Sequence, residues 1–502
     1  MENQSLIYGS DTTQRIVSVE IEGDKATLFL QQDDGSIVTE QRDNRYWILA
    51  HNKLNDKFKP LEGNLFYRYY VQTPHKEMFT QARREWKNKD IFSIYNDKES
   101  FMVKNGVTYY KGLKQKDVSV LSWDIETTGL VHDDSSMVLL ISNTFRDHAG
   151  AIAKKLFCYD EYKSQAELLE AWCDWVREIN PSILLGHNIF GYDLGYIQFI
   201  ADRDGFELHL GRDASTIKFN KYTSAYRIDG SRSMDYYSAQ VYGREILDTM
   251  FLSYKSGVFE SYSLKSLIKE LGLESKDRTF YDAGTIRDNY KNKDEWKKIK
   301  AYAIDDADDS LKLWDRFGAA QFYWSQKVSK TLQSIVESAT GSQINNILMR
   351  SYLQEGHSLP KASLPQNFSG ALSYAKPGVY NNHIRFDVSS LYPSIIIQYD
   401  IYDKEKDPKR NFLNMVKLLR DQRLINKRLA KETGDIYYKN LEQSEKLGIN
   451  SAYGMLGAPG LLFNSPKNAD NVTRYGREIL SKAVLWSTGK DIKEWMPQDE
   501  QL

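Results

Sequence analysis

The sequence predicts a multidomain protein of mixed α/β and α+β architecture, and three observations support this prediction. A chain of 502 residues is too long for a single hydrophobic core and suggests roughly three or four domains. Residues 1–115 contain short alternating runs such as IVSVEIEG and YWILA, broken by turn clusters, which indicate strands. From Val118 onward, strand-like and helix-like segments alternate, which is typical of an α/β domain.

The composition is that of an ordinary globular protein, with 41% apolar and 27% charged residues. Two cysteines, Cys158 and Cys173, provide neither a disulfide framework nor a zinc motif and fit a reducing compartment. The N-terminus lacks a basic region followed by an apolar run, and no stretch approaches the ~20 apolar residues of a membrane helix. We therefore expect a cytoplasmic protein, in the bacterial host cytoplasm if it is phage-encoded, with no membrane partner.

The net charge of −1 does not by itself indicate a nucleic-acid-binding protein. Local charge does, because eight basic residues lie between Lys409 and Lys431 against one acid, Asp421. A solvated charged helix face is the simpler interpretation of this segment taken alone. The motifs that follow it along the chain favour a phosphate-binding role.

Carboxylates recur at characteristic spacings in the α/β segment. Asp124 and Glu126 are two positions apart on a predicted strand, so their side chains share one face. Two carboxylates so close repel each other unless a cation lies between them, which predicts a site for Mg²⁺ or Mn²⁺. Asp193 follows a second predicted strand, at a strand-to-helix turn where α/β folds commonly bind ligands.

The third acidic element is Tyr302 and Asp306, which lie four residues apart and so on one helical face. Phosphodiester hydrolysis by two metal ions requires several carboxylates to hold ions ~4 Å apart, one ion activating water and one stabilising the leaving oxygen. The Tyr302 hydroxyl would orient the attacking water. Each piece alone is also consistent with an ordinary acidic strand end, turn or helix, whereas their ordered combination along the chain favours the two-metal site.

That combination resembles a known family. DIETTG at residues 124–129, N188-x3-Y192-D193 and Y302-x3-D306 resemble the three motifs of the DEDDy-type 3′→5′ proofreading exonuclease, which has an RNase H-like fold. The resemblance implies two Mg²⁺ or Mn²⁺ ions, DNA contact by Asn188 and water positioning by Tyr302. The implied metal ligands are Asp124, Glu126, Asp193 and Asp306.

In FDVSSLYPSII, a predicted buried strand carries Asp387 and then turns at Pro393. This segment is similar to the first polymerase motif of family B DNA polymerases. The resemblance implies that Asp387 binds both catalytic metals, helped by the backbone carbonyl of Val388. It also implies that backbone N–H groups around Ser390 and Leu391 hold the triphosphate, and that Tyr392 excludes a 2′-hydroxyl.

Two predicted helices then present cationic faces. Arg423 and Lys427 are four residues apart, and Lys446, Asn450 and Tyr453 share one face of the next helix. Cationic faces that meet across a helical hairpin would hold a triphosphate. R423-x3-K427 resembles the fingers helix of family B, and K446-x3-N450-S451-x-Y453-G454 resembles its second polymerase motif.

Two weaker similarities concern DNA contacts. FSGA at 368–371 resembles the Tyr-x-Gly-Gly loop of the family, with Phe and Ala in place of the usual Tyr and Gly. TRYGRE at 473–478 is similar to the palm segment near the primer–template. The implied DNA-binding residues are Phe368, Gly370, Gly454, Thr473 and Arg477.

The resemblance implies a DNA-directed DNA polymerase of family B that acts in replication, similar to those of tailed bacteriophages. The expected partners are primer–template DNA, single-stranded DNA and dNTP, with a sliding clamp as a further candidate. The predicted domains are a β-rich N-terminal domain (1–115), the exonuclease domain (116–325), the connector and first part of the palm (326–404), helical-hairpin fingers (405–458) and an incomplete second part of the palm (459–502).

The family's Asp-Thr-Asp motif and its thumb are expected after the palm, and neither occurs in the sequence. A split gene, an intervening element and a truncation each explain this, and we favour a split gene whose second polypeptide supplies an Asp-x-Asp hairpin and thumb. Asp387 alone should not support nucleotidyl transfer. Two alternatives remain: a stand-alone 3′→5′ exonuclease whose second half only binds DNA and nucleotide, and a non-catalytic DNA-binding or assembly subunit.

Overall fold

The structure is a computed structural model that describes residues 2–228, 232–373, 375, 377–381, 383–388 and 390–494. No helix among these residues is both long and apolar enough to cross a membrane. Cys158 and Cys173 are buried free thiols.

Residues 2–117 form two small antiparallel sheets and three helices. The first sheet has the order β1-β2-β3 and the second the order β5-β6-β4-β7. β4 is buried along its whole length because both of its faces are covered. The strands are β1 (Ile16–Glu22), β2 (Lys25–Gln31), β3 (Ile37–Asp43), β4 (Tyr46–Ala50), β5 (Lys59–Pro60), β6 (Tyr69–Thr73) and β7 (Ile91–Phe92). The helices are α1 (Glu2–Tyr8), α2 (Lys76–Glu85) and α3 (Asp97–Asn105).

A five-stranded sheet of order β10-β9-β8-β11-β16 forms the centre of the next region. β8 pairs antiparallel with β9 and parallel with β11, and β11 pairs parallel with β16. Two short antiparallel pairs, β12-β15 and β13-β14, lie outside it. The strands are β8 (Val120–Thr127), β9 (Val138–Arg146), β10 (Ile152–Cys158), β11 (Ile183–Gly186), β12 (Lys218–Phe219), β13 (Ser224–Arg227), β14 (Ser233–Tyr236), β15 (Ala239–Gln240) and β16 (Glu245–Asp248).

Six helices accompany this sheet, and their ends follow ordinary capping chemistry. Ser164 and Asn292 cap α4 and α9 because their side chains accept hydrogen bonds from N–H groups of the first turn. The helices are α4 (Gln165–Ile179), α5 (Asp193–Asp204), α6 (Thr249–Ser256), α7 (Leu264–Glu270), α8 (Ile286–Asn289) and α9 (Lys293–Leu313). The β–α–β alternation predicted from Val118 onward is thus present in the structure.

α9 does not end at Leu313 but continues through a π-helical turn, Trp314–Gly318, into α10 (Ala319–Ser325). A Cβ atom at position 318 would lie 2.0 Å from the Trp314 ring, so this turn requires glycine. The result is one nearly continuous helical rod from Lys293 to Ser325.

The remaining described residues are mainly helical. α14 and α15 form an antiparallel hairpin around Gly434, which has a φ of +68°. α15 packs closely on α10, and a Cβ atom at Gly448 would lie 2.3 Å from the Trp324 ring. The helices are α11 (Leu332–Glu337), α12 (Thr340–Gln354), α13 (Leu391–Gln398), α14 (Asn411–Thr433), α15 (Ile436–Gly457) and α16 (Pro466–Thr488).

One expectation about this half is corrected by the structure. The segment predicted as a buried strand carrying Asp387 has no regular secondary structure over residues 383–388, and Ile384, Phe386 and Val388 are exposed. A strand needs a hydrogen-bonded neighbour, and none of the residues that the structure describes provides one here. The region predicted as the second part of the palm, 459–502, contains a long helix, α16.

The largest hydrophobic core continues across the predicted boundary at residue 115. It joins Ile16 and Phe29 of the first sheet to Trp123 of the central sheet and to Phe322 of α10. A second core joins α12 to α14, α15 and α16. The position of each site is therefore fixed by packing that spans several of the predicted domains.

Candidate functional site

Three carboxylates from two elements meet at the central strand of the five-stranded sheet. Asp124 and Glu126 project from β8, and Asp306 lies two turns before the end of α9. One oxygen from each of the three carboxylates lies within 4.8 Å of the others. Glu126 and Asp306 are 8% and 6% exposed, whereas Asp124 is only half-buried. Three acids converge here in a largely dehydrated setting.

The pKa shifts of this cluster reflect its crowding. Burial, followed by repulsion from Asp306, raises the pKa of Glu126 to about 8. Burial, followed by repulsion from Asp193 and Glu126, raises the pKa of Asp124 well above its ordinary value. Neighbouring acids that raise one another's pKa in this way favour a cation between them.

The donor set fits a divalent cation. Two oxygens on opposite sides of one Mg²⁺ ion lie ~4.2 Å apart, so a 4.8 Å spread needs only small side-chain rotations to close on one ion. Oxygen-only carboxylate ligands are those that Mg²⁺ and Mn²⁺ prefer. Asp124, Glu126 and Asp306 would hold such an ion.

Asp193 lies beside this cluster and is 4% exposed, as the first residue of α5. Its Oδ1 accepts a hydrogen bond from the Ile125 backbone N–H at 3.3 Å, which ties it to β8 between the two acidic residues. Burial raises the pKa of Asp193 to about 8. It is therefore adjacent to the cluster, although its carboxylate is not one of the three that lie within 4.8 Å of one another.

The loop that carries Asp193 is held by Asp248 at the end of β16. Asp248 accepts backbone N–H groups from Asn188 at 2.9 Å and from Phe190 at 3.4 Å. Asn188 has a φ of +63°, a left-handed conformation that asparagine tolerates. Asn188 thus shapes the turn that delivers Asp193.

Tyr302 is 4% exposed and lies one helical turn before Asp306 on α9. Burial, followed by repulsion from Asp306, raises the pKa of Tyr302, so the phenol stays protonated and available as a donor. The predicted pairing of Tyr302 and Asp306 on one face of a helix is present in the structure.

Some of the residues predicted to bind nucleotide contact one another in the C-terminal half. Arg423 Nη1 donates to Ser390 Oγ, which joins α14 to the turn before α13, and Arg423 Nε donates to Glu442 at 2.7 Å. Ser390 has a φ of +53°. The Tyr392 and Tyr453 rings are 4.6 Å apart. The predicted first motif and both helices of the hairpin therefore converge.

A cleft of about 1150 Å³ lies between α15 and the region of the five-stranded sheet. Lys446, Asn450, Tyr453 and Gly454 line one side of it, and Lys255 is among the residues of the other side. Lys427 is exposed on α14 but does not line this cleft. Asp387 and Val388 are exposed in the segment without regular structure, and Leu391 begins α13.

The residues of the two weaker similarities contact one another. Thr473 Oγ1 donates to the Ser369 carbonyl at 2.9 Å, and Arg477 Nη1 donates to the carbonyls of Ser369 at 3.0 Å and Gly370 at 2.5 Å. The Phe368 ring lies close to Gly457 of α15. α16 thus holds the loop that contains Phe368 and Gly370.

Comparison with known proteins identifies the region of the acidic cluster. Residues 75–267 match the profile "DNA polymerase family B, exonuclease domain". These residues are therefore similar to the exonuclease domain of family B DNA polymerases. The match begins at residue 75, before the predicted start at 116, and it includes Asp124, Glu126 and Asp193.

Relatives of the chain are themselves named as DNA polymerases. A DNA polymerase of Pyrococcus glycovorans is 23% identical over 420 residues, which cover 76% of this chain and 52% of that protein. The DNA polymerase delta catalytic subunit of Schizosaccharomyces pombe is 25% identical over 436 residues, covering 74% of this chain and 39% of that protein. The chain spans about half the length of the archaeal relative.

The fold agrees with this relationship. The family B DNA polymerase of Pyrobaculum calidifontis superposes with a TM-score of 0.75 at 17% identity, over 94% of this chain and 71% of that one. The fold is therefore that of a family B DNA polymerase with an exonuclease domain. These relatives are archaeal and yeast proteins, so the likeness to tailed-phage enzymes stays a prediction.

One residue near the exonuclease centre was missed by sequence reasoning. Lys265 on α7 has its Nζ 4.4 Å from the centre of the Tyr302 ring and donates to the Tyr281 carbonyl at 3.4 Å. Its positive charge opposes the rise in the pKa of Asp124 and Glu126. The segment LKSLIKE reads as an ordinary amphipathic helix, so no local signal reveals this role.

Proposed function

We propose that the exonuclease domain hydrolyses DNA from its 3′ end with two divalent metal ions, Mg²⁺ or Mn²⁺. The observation that carries the proposal is the convergence of oxygens from Asp124, Glu126 and Asp306 within 4.8 Å of one another. Asp193, tied to the same strand, is the fourth ligand. Such an acidic set in a dehydrated site can hold metal ions that activate a water molecule and stabilise the leaving oxygen.

The other residues of the site support the same chemistry. The Tyr302 hydroxyl, which shares a helix face with Asp306, would orient a water molecule near the metal ligands. Lys265 adds a positive charge that suits the negative charge of a phosphodiester under attack. These assignments correspond to the DEDDy arrangement expected from the sequence.

The test is metal-dependent degradation of a 5′-labelled single-stranded DNA. We expect Mg²⁺ to support shortening from the 3′ end, and Asp124→Ala to reduce the rate by at least ~10²-fold. Glu170→Ala, an exposed change on α4, serves as the control and should leave the rate unchanged. A chain that shows no metal-dependent shortening, or an Asp124→Ala variant with full activity, would contradict the proposal.

For the C-terminal half we propose nucleotide binding and template-directed dNTP addition, with primer–template DNA in the cleft beside α15. Lys446, Asn450 and Tyr453 line that cleft, and Arg423 lies next to the Ser390 turn. We propose that Asp387, with the Val388 carbonyl, needs a further carboxylate to hold the catalytic metal ions. Metal-assisted nucleotidyl transfer requires carboxylates that hold both ions and align the primer hydroxyl.

Primer extension tests this second part. The purified chain should extend a primer negligibly by itself and should gain activity when a fragment with the Asp-x-Asp hairpin is added. Robust extension by the chain alone would show that the further carboxylate is not required. Exonuclease activity without any extension under either condition would favour the stand-alone exonuclease.

A further inference from the structure

A short strap, residues 275–279, crosses the acidic face of α9. The Thr279 backbone N–H donates to Asp305 Oδ2 at 2.7 Å, and Lys312 Nζ donates to Ser275 Oγ at 2.7 Å. The strap is thus fastened to α9 on both sides of Asp306. Its central contact is made by Arg278.

The Arg278 guanidinium is buried, with 2% of its side chain exposed. Its Nη2 donates to Asp306 Oδ1 at 2.6 Å and its Nε donates to Asp309 Oδ2 at 2.7 Å. Its Nη1 donates to the carbonyl of Thr279 at 3.1 Å, and the Phe280 ring lies 4.9 Å from the guanidinium carbon. Two carboxylates, one backbone carbonyl and one aromatic ring therefore hold the orientation of the guanidinium.

A buried arginine between two aspartates is, taken alone, an ordinary structural ion pair. The Arg278 ion pair differs from such a case because Asp306 belongs to the three-carboxylate cluster, whereas Asp309 does not. Asp309 anchors the guanidinium from the side away from the cluster, and Arg278 occupies one oxygen of Asp306. The second oxygen, Oδ2, takes no part in this ion pair.

We propose that Arg278 is a positioning residue that fixes the Asp306 carboxylate for divalent-ion binding. This inference depends on the proposed exonuclease function. The planar guanidinium contacts two carboxylates at once, which the point charge of lysine cannot reproduce. Partners of metal ligands that orient them in this manner typically change metal affinity or activity by ~10–100-fold when they are replaced.

The experiment measures Mn²⁺ binding to the full chain without DNA, from the electron paramagnetic resonance signal of free Mn²⁺. Arg278→Gln should weaken binding by ~10-fold or more, and Arg278→Lys by a smaller factor of ~3. Arg474→Gln is the control, because Arg474 pairs with Glu478 on α16 and contacts neither the strap nor the three carboxylates. We expect its Mn²⁺ affinity to change less than ~2-fold.

The outcomes separate this inference from the proposed function. If Asp124→Ala binds Mn²⁺ as tightly as the unmodified chain, the proposed metal site itself is wrong. If Asp124→Ala loses binding but Arg278→Gln binds with unchanged or higher affinity, only the role of Arg278 is refuted. Should Arg278→Gln fail to fold, Asp309→Asn releases one anchor while Arg278 stays, and unchanged Mn²⁺ affinity in that variant would equally refute the inference.

Discussion

Replacing Glu126 by glutamine should stabilise the metal-free protein at high pH and remove its response to metal. The pKa of Glu126 is raised from 4.5 to about 8. Between these two values the folded state keeps a proton that the unfolded state releases, so stability falls as pH rises through this window. Glutamine is never charged, so the stability of the variant does not fall in this way as pH rises.

Two routes give the size of the effect. A shift of roughly 3.5 pKa units corresponds to ~5 kcal/mol, which is an upper limit. Coulomb's law with an effective dielectric constant of ~20 gives ~3.5 kcal/mol for two charges that are 4.8 Å apart, the spread of the cluster. Structural relaxation and water around the carboxylate reduce both energies. We therefore expect the free energy of unfolding of Glu126→Gln to exceed that of the unmodified chain by ~2 kcal/mol at pH 9 and by close to nothing at pH 5. For a domain of this size that gain equals an increase of ~4–8 °C in the unfolding temperature.

The assay is thermal unfolding of the full chain and of Glu126→Gln at pH 5 and pH 9, each with EDTA and with Mn²⁺. With EDTA, the unfolding temperature of the variant should be higher than that of the unmodified chain at pH 9 but not at pH 5. With Mn²⁺, the unmodified chain should gain stability and the variant should not. Glu170→Gln, the same change at an exposed position on α4, is the control. Identical pH dependence of the two chains in EDTA would refute the reasoning.

Three further outcomes follow from the structure. Tyr302→Phe should lower the exonuclease rate by ~10²-fold and leave Mn²⁺ affinity unchanged, and weakened Mn²⁺ binding would mean that the hydroxyl mainly positions Asp306. Gly448→Ala should lower the free energy of unfolding by ~1–3 kcal/mol in chemical denaturation, because the new Cβ would lie 2.3 Å from the Trp324 ring. Gly195→Ala on α5 is the control: its Cβ would meet no atom within 4 Å, so the same measurement should show no destabilisation. Glu442→Gln should free Arg423 and tighten dNTP binding by ~3-fold in a fluorescence titration, and weaker binding would show that the pair instead positions Arg423 for nucleotide.

Much of the nuclease centre could be predicted because its signals are local. Asp124 and Glu126 share a strand face through a two-residue period, and Tyr302 and Asp306 share a helix face through a four-residue spacing. Asp306 joins the cluster, whereas its neighbour Asp305 accepts a hydrogen bond from the Thr279 N–H of the strap.

The unpredicted features depend on contacts between distant residues. Arg278 meets Asp306 across 28 positions, and Arg423 meets Ser390 across 33, so no periodicity reveals either pair. The strand expected around Asp387 had the right apolar alternation, but alternation does not supply the neighbouring strand that the backbone needs. Composition and spacing therefore identify which residue types form a site better than they identify which distant residues contact one another.

The rod formed by α9, the π-helical turn and α10 carries Asp306 in one half and ends beside Trp324, which packs on Gly448 of the hairpin helix α15. It is roughly 50 Å long at about 1.5 Å per residue, so its length sets the distance between the acidic cluster and the hairpin helix α15. One inserted residue between position 306 and the π-helical turn would rotate the far end by ~100° about the axis. An insertion in this segment would therefore disturb the position of α15 relative to Asp306, whereas a substitution of an exposed side chain on the rod would not.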